Sequence, residues 1–348
     1  MTSKTLVASL FAVVAAAAAT AQSDRIHLVN GEVVKDVKVT DFDVRSIRYK
    51  KSGSDQSKPS DQVARVVLGD FKTVYARGLN DADLMLTLAK EQIEAKNSVM
   101  AQLGLTGASA RYFDTGRPAE AVDALNLLEK TYPEGGLLPE VYRQKFEYYM
   151  GAGSSGVASA LTVAKKYETA AIGGAWPPGF AIEAKFFQVL SEKSSPNEYQ
   201  QALRGVISRA GGSNRTVANR ASIELAHSLR ESGKGEEAKR LYDDMVAKDG
   251  ADDSSRAGAY LGLGKILFEE ASNNDKDKYK EALLMFLRVR LETRDAWPSL
   301  QAEALYQASQ AAIKWRGPEY RLIVARCRGV LLNDFKNSEW AEAVRQSR

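Results

Sequence analysis

The sequence predicts a mainly α fold: a right-handed solenoid of antiparallel helical hairpins, preceded by a small all-β module. Three observations predict it. First, a small residue on one helix is followed twelve positions later by an alanine, as Ala226 is by Ala238 and Ser109 by Ala121. Small residues at that offset let two helices approach closely while Leu225, Leu229, Tyr242 and Met245, or Tyr112, Leu125 and Leu128, fill the remaining gap. Second, residues 26–71 read as short strands, and a helical period takes over from residue 80. Third, turn-forming residues interrupt that helical period often enough to leave segments of ordinary helix length.

Residues 1–21 come first. Lys4 provides a basic start, residues 6–19 are an apolar, alanine-rich run, and Ala19 and Ala21 are the small residues that a signal peptidase reads. The run is shorter than the ~20 residues a membrane span needs. The expectation is an exported protein, periplasmic or secreted. Its signal peptide would be removed after Ala21, leaving no membrane span in the mature chain.

Residues 22–75 form the β module. Ile26 and Leu28 alternate with polar neighbours and lead into Asn30-Gly31, a pair that favours positive φ and a tight hairpin. Val33 to Val39 make the return strand, Val44, Ile47 and Tyr49 a third, and Val63, Val66 and Val67 a closing one. The polar residues 52–60 between them read as a flexible turn.

Residues 79–348 form the helical domain. Asn80 is placed to cap a helix that carries Leu84, Leu86, Leu88 and Ile93 toward Met100 and Leu103. Breaks fall at residues 133–136, 151–156, 173–179, 211–214, 249–254 and 273–278, and at Trp297-Pro298 and Gly317-Pro318. Ala257, Tyr260, Leu261, Gly264, Leu267 and Phe268 make an amphipathic stripe.

These residues also carry a resemblance. Tyr260, Leu263, Gly264 and Leu267 resemble the first-helix positions of a tetratricopeptide repeat. Ala282 and Phe286 resemble its second-helix positions, displaced by an insertion at residues 273–278. The copy around Ser109 and Ala121 ends in Tyr132-Pro133, a common repeat terminus. Phe335-Lys336-Asn337-Ser338-Glu339-Trp340-Ala341 is similar to the Tyr-Pro-Asp-Ser-x-Tyr-Ala ending of bacterial cell-envelope members, with Lys336 in place of proline. The sequence departs from the family at Ser222, where a large aromatic is preferred, and in the degenerate copies at 138–167 and 180–210. The first hairpin is similar to that of small Sm-like or Src-homology-type barrels. The resemblance implies that Ser109, Ala121, Ala226, Ala238, Gly264 and Ala282 are repeat-packing residues. It also implies a concave surface that binds a protein or an extended peptide.

Composition narrows the function classes. Among 348 residues, 48 Lys and Arg are interleaved with 44 Asp and Glu for a net charge of +4, which does not favour nucleic acid. One cysteine, Cys327, permits neither an internal disulfide nor a cysteine-based zinc cluster, and two histidines, His27 and His227, cannot build a histidine-rich metal site. Asn273, Asp275 and Asp277 alternate like the start of a calcium loop, but Lys278 stands where its glycine belongs and Leu284 where its closing glutamate belongs. The glycine-rich residues 151–156 and Gly173-Gly174 lack the Gly-Lys-Ser/Thr ending of a phosphate loop.

No catalytic, cofactor or metal residues are therefore expected, and the reading is a non-enzymatic scaffold for a protein or peptide partner. The alternative is a module that binds cell-wall glycan or an anionic polymer through Arg45, Arg48, Lys50 and Lys51 of the β unit. Trp176, Trp297, Trp315 and Trp340 lie near helix ends, where they either wedge hairpins together or line a peptide pocket.

Overall fold

The structure is a computed structural model. It describes residues 23–348 apart from 193, 212–213, 273–274, 295, 337 and 348. The expected signal segment lies outside the described residues.

Five strands open the chain: β1 (Asp24–Leu28), β2 (Val33–Phe42), β3 (Ser46–Lys51), β4 (Ser54–Pro59) and β5 (Val63–Val67). All pairings are antiparallel, in the order β4-β3-β2-β1-β5. Asn30-Gly31 turns the first hairpin, with Gly31 at φ 87° and the Asn30 side chain accepting a hydrogen bond from the Glu32 N–H. Ile26, Val37, Ile47, Tyr49 and Val66 are buried on the inner face.

One correction arises here. The polar stretch expected to be a flexible turn contains β4, joined to β3 by a turn with Ser52 at φ 50° and Gly53 at φ 83°. Both positive angles suit the twist of a tight hairpin. The strand carries no apolar alternation because five of its six residues are exposed, so backbone pairing alone defines it.

Helices follow: α1 (Phe71–Val74), α2 (Ala82–Glu94), α3 (Ser98–Asp114), α4 (Pro118–Thr131), α5 (Leu138–Gly151), α6 (Val157–Gly173), α7 (Pro178–Ser191) and α8 (Pro196–Ala210). They continue as α9 (Arg215–Glu231), α10 (Gly235–Ala247), α11 (Asp253–Glu270), α12 (Lys276–Glu292), α13 (Pro298–Trp315), α14 (Tyr320–Asp334) and α15 (Glu339–Gln346). From α2 onward each helix packs on the next, and α5, α7, α9, α11, α13 and α15 also pack on one another in sequence. The chain is therefore mainly helical, with a stack of hairpins after the sheet and the odd-numbered helices from α5 onward in one row.

The first helices differ from expectation. Asp81, rather than Asn80, caps α2 by accepting from the Leu84 N–H. The helix stops before Ser98, with Lys96 in the left-handed region at φ 57°. Its buried residues are Ala82, Met85 and Ala89, while Leu84, Leu86 and Leu88 are half-buried. Residues two apart lie on different sides of a helix, so the three leucines cannot share one buried face.

The six small residues all lie in packed hairpins. Ser109, Ala121, Ala226, Ala238 and Ala282 are 0% exposed. Gly264 is buried against Phe286, whose ring a Cβ at that position would overlap. Ala238→Leu should overpack the α9–α10 hairpin and cost about 1–3 kcal/mol, read from chemical denaturation. A midpoint equal to wild type would refute close packing there.

The sheet is bonded to the helices. Val44 N–H donates to the Glu134 carbonyl and Gly136 N–H to the Phe42 carbonyl, both at 3.0 Å. A side chain at Gly136 would overlap the Phe42 ring. Arg45 pairs with Glu134 at 3.2 Å. Asp61, just before β5, accepts the Gly179 N–H at the start of α7, a helix with no capping side chain of its own. One apolar core runs from the sheet to α11, and a second runs from α11 to α15.

A third charged contact ties α4 to α5 and α6. Glu129 accepts from Lys145 at 2.8 Å, Lys166 at 2.6 Å and Tyr142 at 2.9 Å. Burial opposes its ionisation, but these donors overcome it and hold the carboxyl at about 2. The folded value is below the unfolded one. The pair's stabilisation is thus complete above about pH 4.5 and is lost as pH falls toward 2. Between those limits stability should drop by about 2 kcal/mol more in wild type than in Glu129→Gln. Parallel acid slopes for the two proteins would contradict this.

Candidate functional site

Two features adjoin on one side of the molecule. The first is a half-open cavity of about 660 Å³. Residues 63–69 of β5 and its C-terminal extension form one wall, and α3, α5 and Phe180 of α7 form the other. Half-buried Phe71, Leu79, Leu103 and Leu137 give it an apolar lining, while Arg25, Arg65 and Lys72 supply positive charge. Asp24 fixes one end by accepting from the Val39 and Gly69 N–H groups, each at 2.8 Å.

The second feature is a polar stripe on the odd-numbered row. Glu140, Arg143, Gln144 and Glu147 recur at i, i+3, i+4 and i+7 on α5, so they share one face. Ser109 of α3 donates to Gln144 at 3.1 Å, and Gln144 donates to Glu140 at 2.9 Å. Arg143 bonds Glu140 at 3.2 Å and reaches Glu183 of α7 at 2.8 Å, while the Tyr167 hydroxyl donates to the other Glu183 oxygen at 2.8 Å. Burial works against the Glu183 charge, but Arg143 and Tyr167 hold its carboxyl below the ordinary range.

The stripe continues on α9. Arg220 lies over the Trp297 ring at 4.1 Å and over Phe186 at 5.5 Å. Trp297 itself is 39% exposed. Burial lowers the Arg220 guanidinium, with Glu183, Glu147 and Glu224 acting in the opposite direction. Burial raises Glu224, and among the described residues neither Glu147 nor Glu224 has a hydrogen-bonded cation. Glu147 is exposed to solvent.

The residues singled out from the sequence fall elsewhere. Ser109 is both a packing residue and a hydrogen-bond donor to the stripe; Ala121, Ala226, Ala238, Gly264 and Ala282 do not touch the cavity. Cys327 is buried, which pushes its thiol up to about 11. His227 packs against Tyr242, and burial with neighbouring Lys265 and Arg230 lowers it to about 4. Trp176 is wedged among Tyr142, Tyr167 and Phe180, and Trp340 lies on Tyr306. Among the described residues no group of three or more His, Cys, Asp or Glu side chains could hold a metal ion, and no helix is long and apolar enough to cross a membrane.

The polar stripe had a sequence signal that motif reading passed over. Arg220, Glu224 and His227 repeat the i, i+4, i+7 spacing of α5 on a helix whose other face is apolar. The cavity had none, since its walls lie far apart in the chain.

Comparison with protein-family models and with curated proteins finds no match to this chain.

Proposed function

We propose that this chain is an exported, non-enzymatic scaffold of tetratricopeptide-repeat type that holds a protein or peptide partner along its odd-numbered helices. The observation that carries the reading is the stripe from Ser109 through Arg143 and Glu183 to Arg220, beside a cavity of ligand-binding size. Fixed charges and a half-exposed tryptophan along one row of helices can read a partner's polar groups and bury its apolar ones. The glycan or polymer reading has less support. Arg45 is paired with Glu134, Arg48 with Asp41 and Asp43, and Lys50 lies 3.9 Å from Asp55. Those cations are largely neutralised within the chain.

The test is affinity capture from envelope extract with three full-length mature proteins. Wild type and Lys280→Glu, at an exposed position of α12, should enrich the same partner, and Glu147→Lys/Glu224→Lys should lose it. Equal capture by all three would remove the helical row from the reading. N-terminal sequencing of the exported protein checks the compartment: a chain beginning at Gln22 supports export with cleavage, and one still beginning at Met1 contradicts it.

A further inference from the structure

The two edges of the sheet are built differently. β4 is polar and exposed, and it ends in Lys58-Pro59. Such composition blunts an edge against pairing with other chains. β5 reads Val-Ala-Arg-Val-Val, a good strand former, and it ends the sheet on the other side. Among the described residues its one partner strand is β1.

The cavity meets β5 along that unpaired edge. Side chains of a strand alternate between two faces, so a space that opened on one face would touch every second residue. Here it touches each of residues 63–69 in turn. The void therefore runs beside the backbone, where outward-pointing N–H and C=O groups have no strand to bond. The five residues of β5 span roughly 17 Å. The opposite wall is helical and partly apolar, so an incoming chain would be covered on its far side by α3 and α5.

The charges indicate what kind of chain fits. Among the described residues Arg25, Arg65 and Lys72 form no ion pair. The one acidic side chain of the lining, Glu140, is already paired with Arg143. The groove is thus net positive.

We infer that this groove binds an extended peptide of alternating acidic and apolar residues, which pairs with the free edge of β5 as a sixth strand. Backbone hydrogen bonds to β5 provide the register. Apolar side chains reach Phe71, Leu79, Leu103 and Leu137, and acidic ones meet Arg25, Arg65 and Lys72. This rests on the peptide-holding role proposed above and places the peptide's main chain on the sheet rather than on the helices.

The test is selection of a random seven-residue peptide library on the full mature chain, followed by titration of synthetic copies of the enriched sequences. The expected consensus alternates Asp or Glu with apolar residues. N-methylating alternate backbone amides of the peptide should weaken binding about tenfold or more, because it removes the strand-pairing donors. Arg65→Glu/Lys72→Glu, two exposed positions that leave the core untouched, should weaken it by a similar factor. A basic or pattern-free consensus, no enriched peptide, or indifference to N-methylation at every position would overturn strand addition. Sensitivity to Glu147→Lys/Glu224→Lys without sensitivity to Arg65→Glu/Lys72→Glu would overturn it too, yet leave the helical-row reading standing. Peptides indifferent to both pairs of substitutions would remove both.

Discussion

Glu183→Leu is expected to destabilise the protein by about 3–5 kcal/mol, the range for breaking one side of a buried ion pair. Glu183 is 5% exposed and accepts from both Arg143 and Tyr167. Removing the carboxylate leaves a guanidinium and a hydroxyl facing an apolar side chain. Arg143 keeps Glu140 at 3.2 Å, but that single half-buried contact does not replace the one to the buried Glu183. The double variant Arg143→Leu/Glu183→Leu should recover part of the loss, because no charge is then stranded. Chemical denaturation of the four proteins of this cycle measures the coupling. A Glu183→Leu effect below about 1 kcal/mol would mean that water already supports Arg143.

The second large effect is expected at Gly262 in α11. In a solvent-exposed helix, exchanging glycine for alanine gains about 1 kcal/mol. Here the sign should reverse. A Cβ at Gly262 would overlap the ring of Tyr242, which is 0% exposed and cannot swing out to water. Gly262→Ala should therefore cost about 2 kcal/mol and Gly262→Val about 3 or more. The decisive comparison is in a Tyr242→Leu background, where the ring is gone. There Gly262→Ala should be neutral or stabilising. If it costs the same in both backgrounds, the close approach of α10 and α11 is not its cause.

These two sites also mark what could be read from the sequence and what could not. The Asn30-Gly31 turn and the buried small residues announce themselves, because each satisfies a local steric requirement that few residue types meet. β4 does not, since its residues face water on both sides and its pairing leaves no hydrophobic period. The end of α2 at Lys96 is equally silent: a lysine takes the left-handed angle that glycine usually supplies. Glu183 and Arg143 are forty positions apart, and only packing α5 on α7 joins them. The groove beside β5 is further removed, because it exists only where the sheet docks against α3 and α5. Asp61 illustrates the same point, as a residue of the β module that ends up serving a helix more than a hundred positions away.

The division of the apolar interior at α11 bears on how force and disorder spread through the molecule. A structure whose neighbours hold one another in series need not come apart all at once. The four helices beyond α11 can loosen as a unit while the sheet, the groove and the charged stripe on α5 and α7 stay assembled around the larger core. Thermal fraying at the far end would then be insulated from the groove. Hydrogen exchange should report this as two tiers of protection, with amides of α12 to α15 opening at lower free energy than those of β1, α3 and α5. A ligand seated at the groove would raise the upper tier and leave the lower one nearly unchanged.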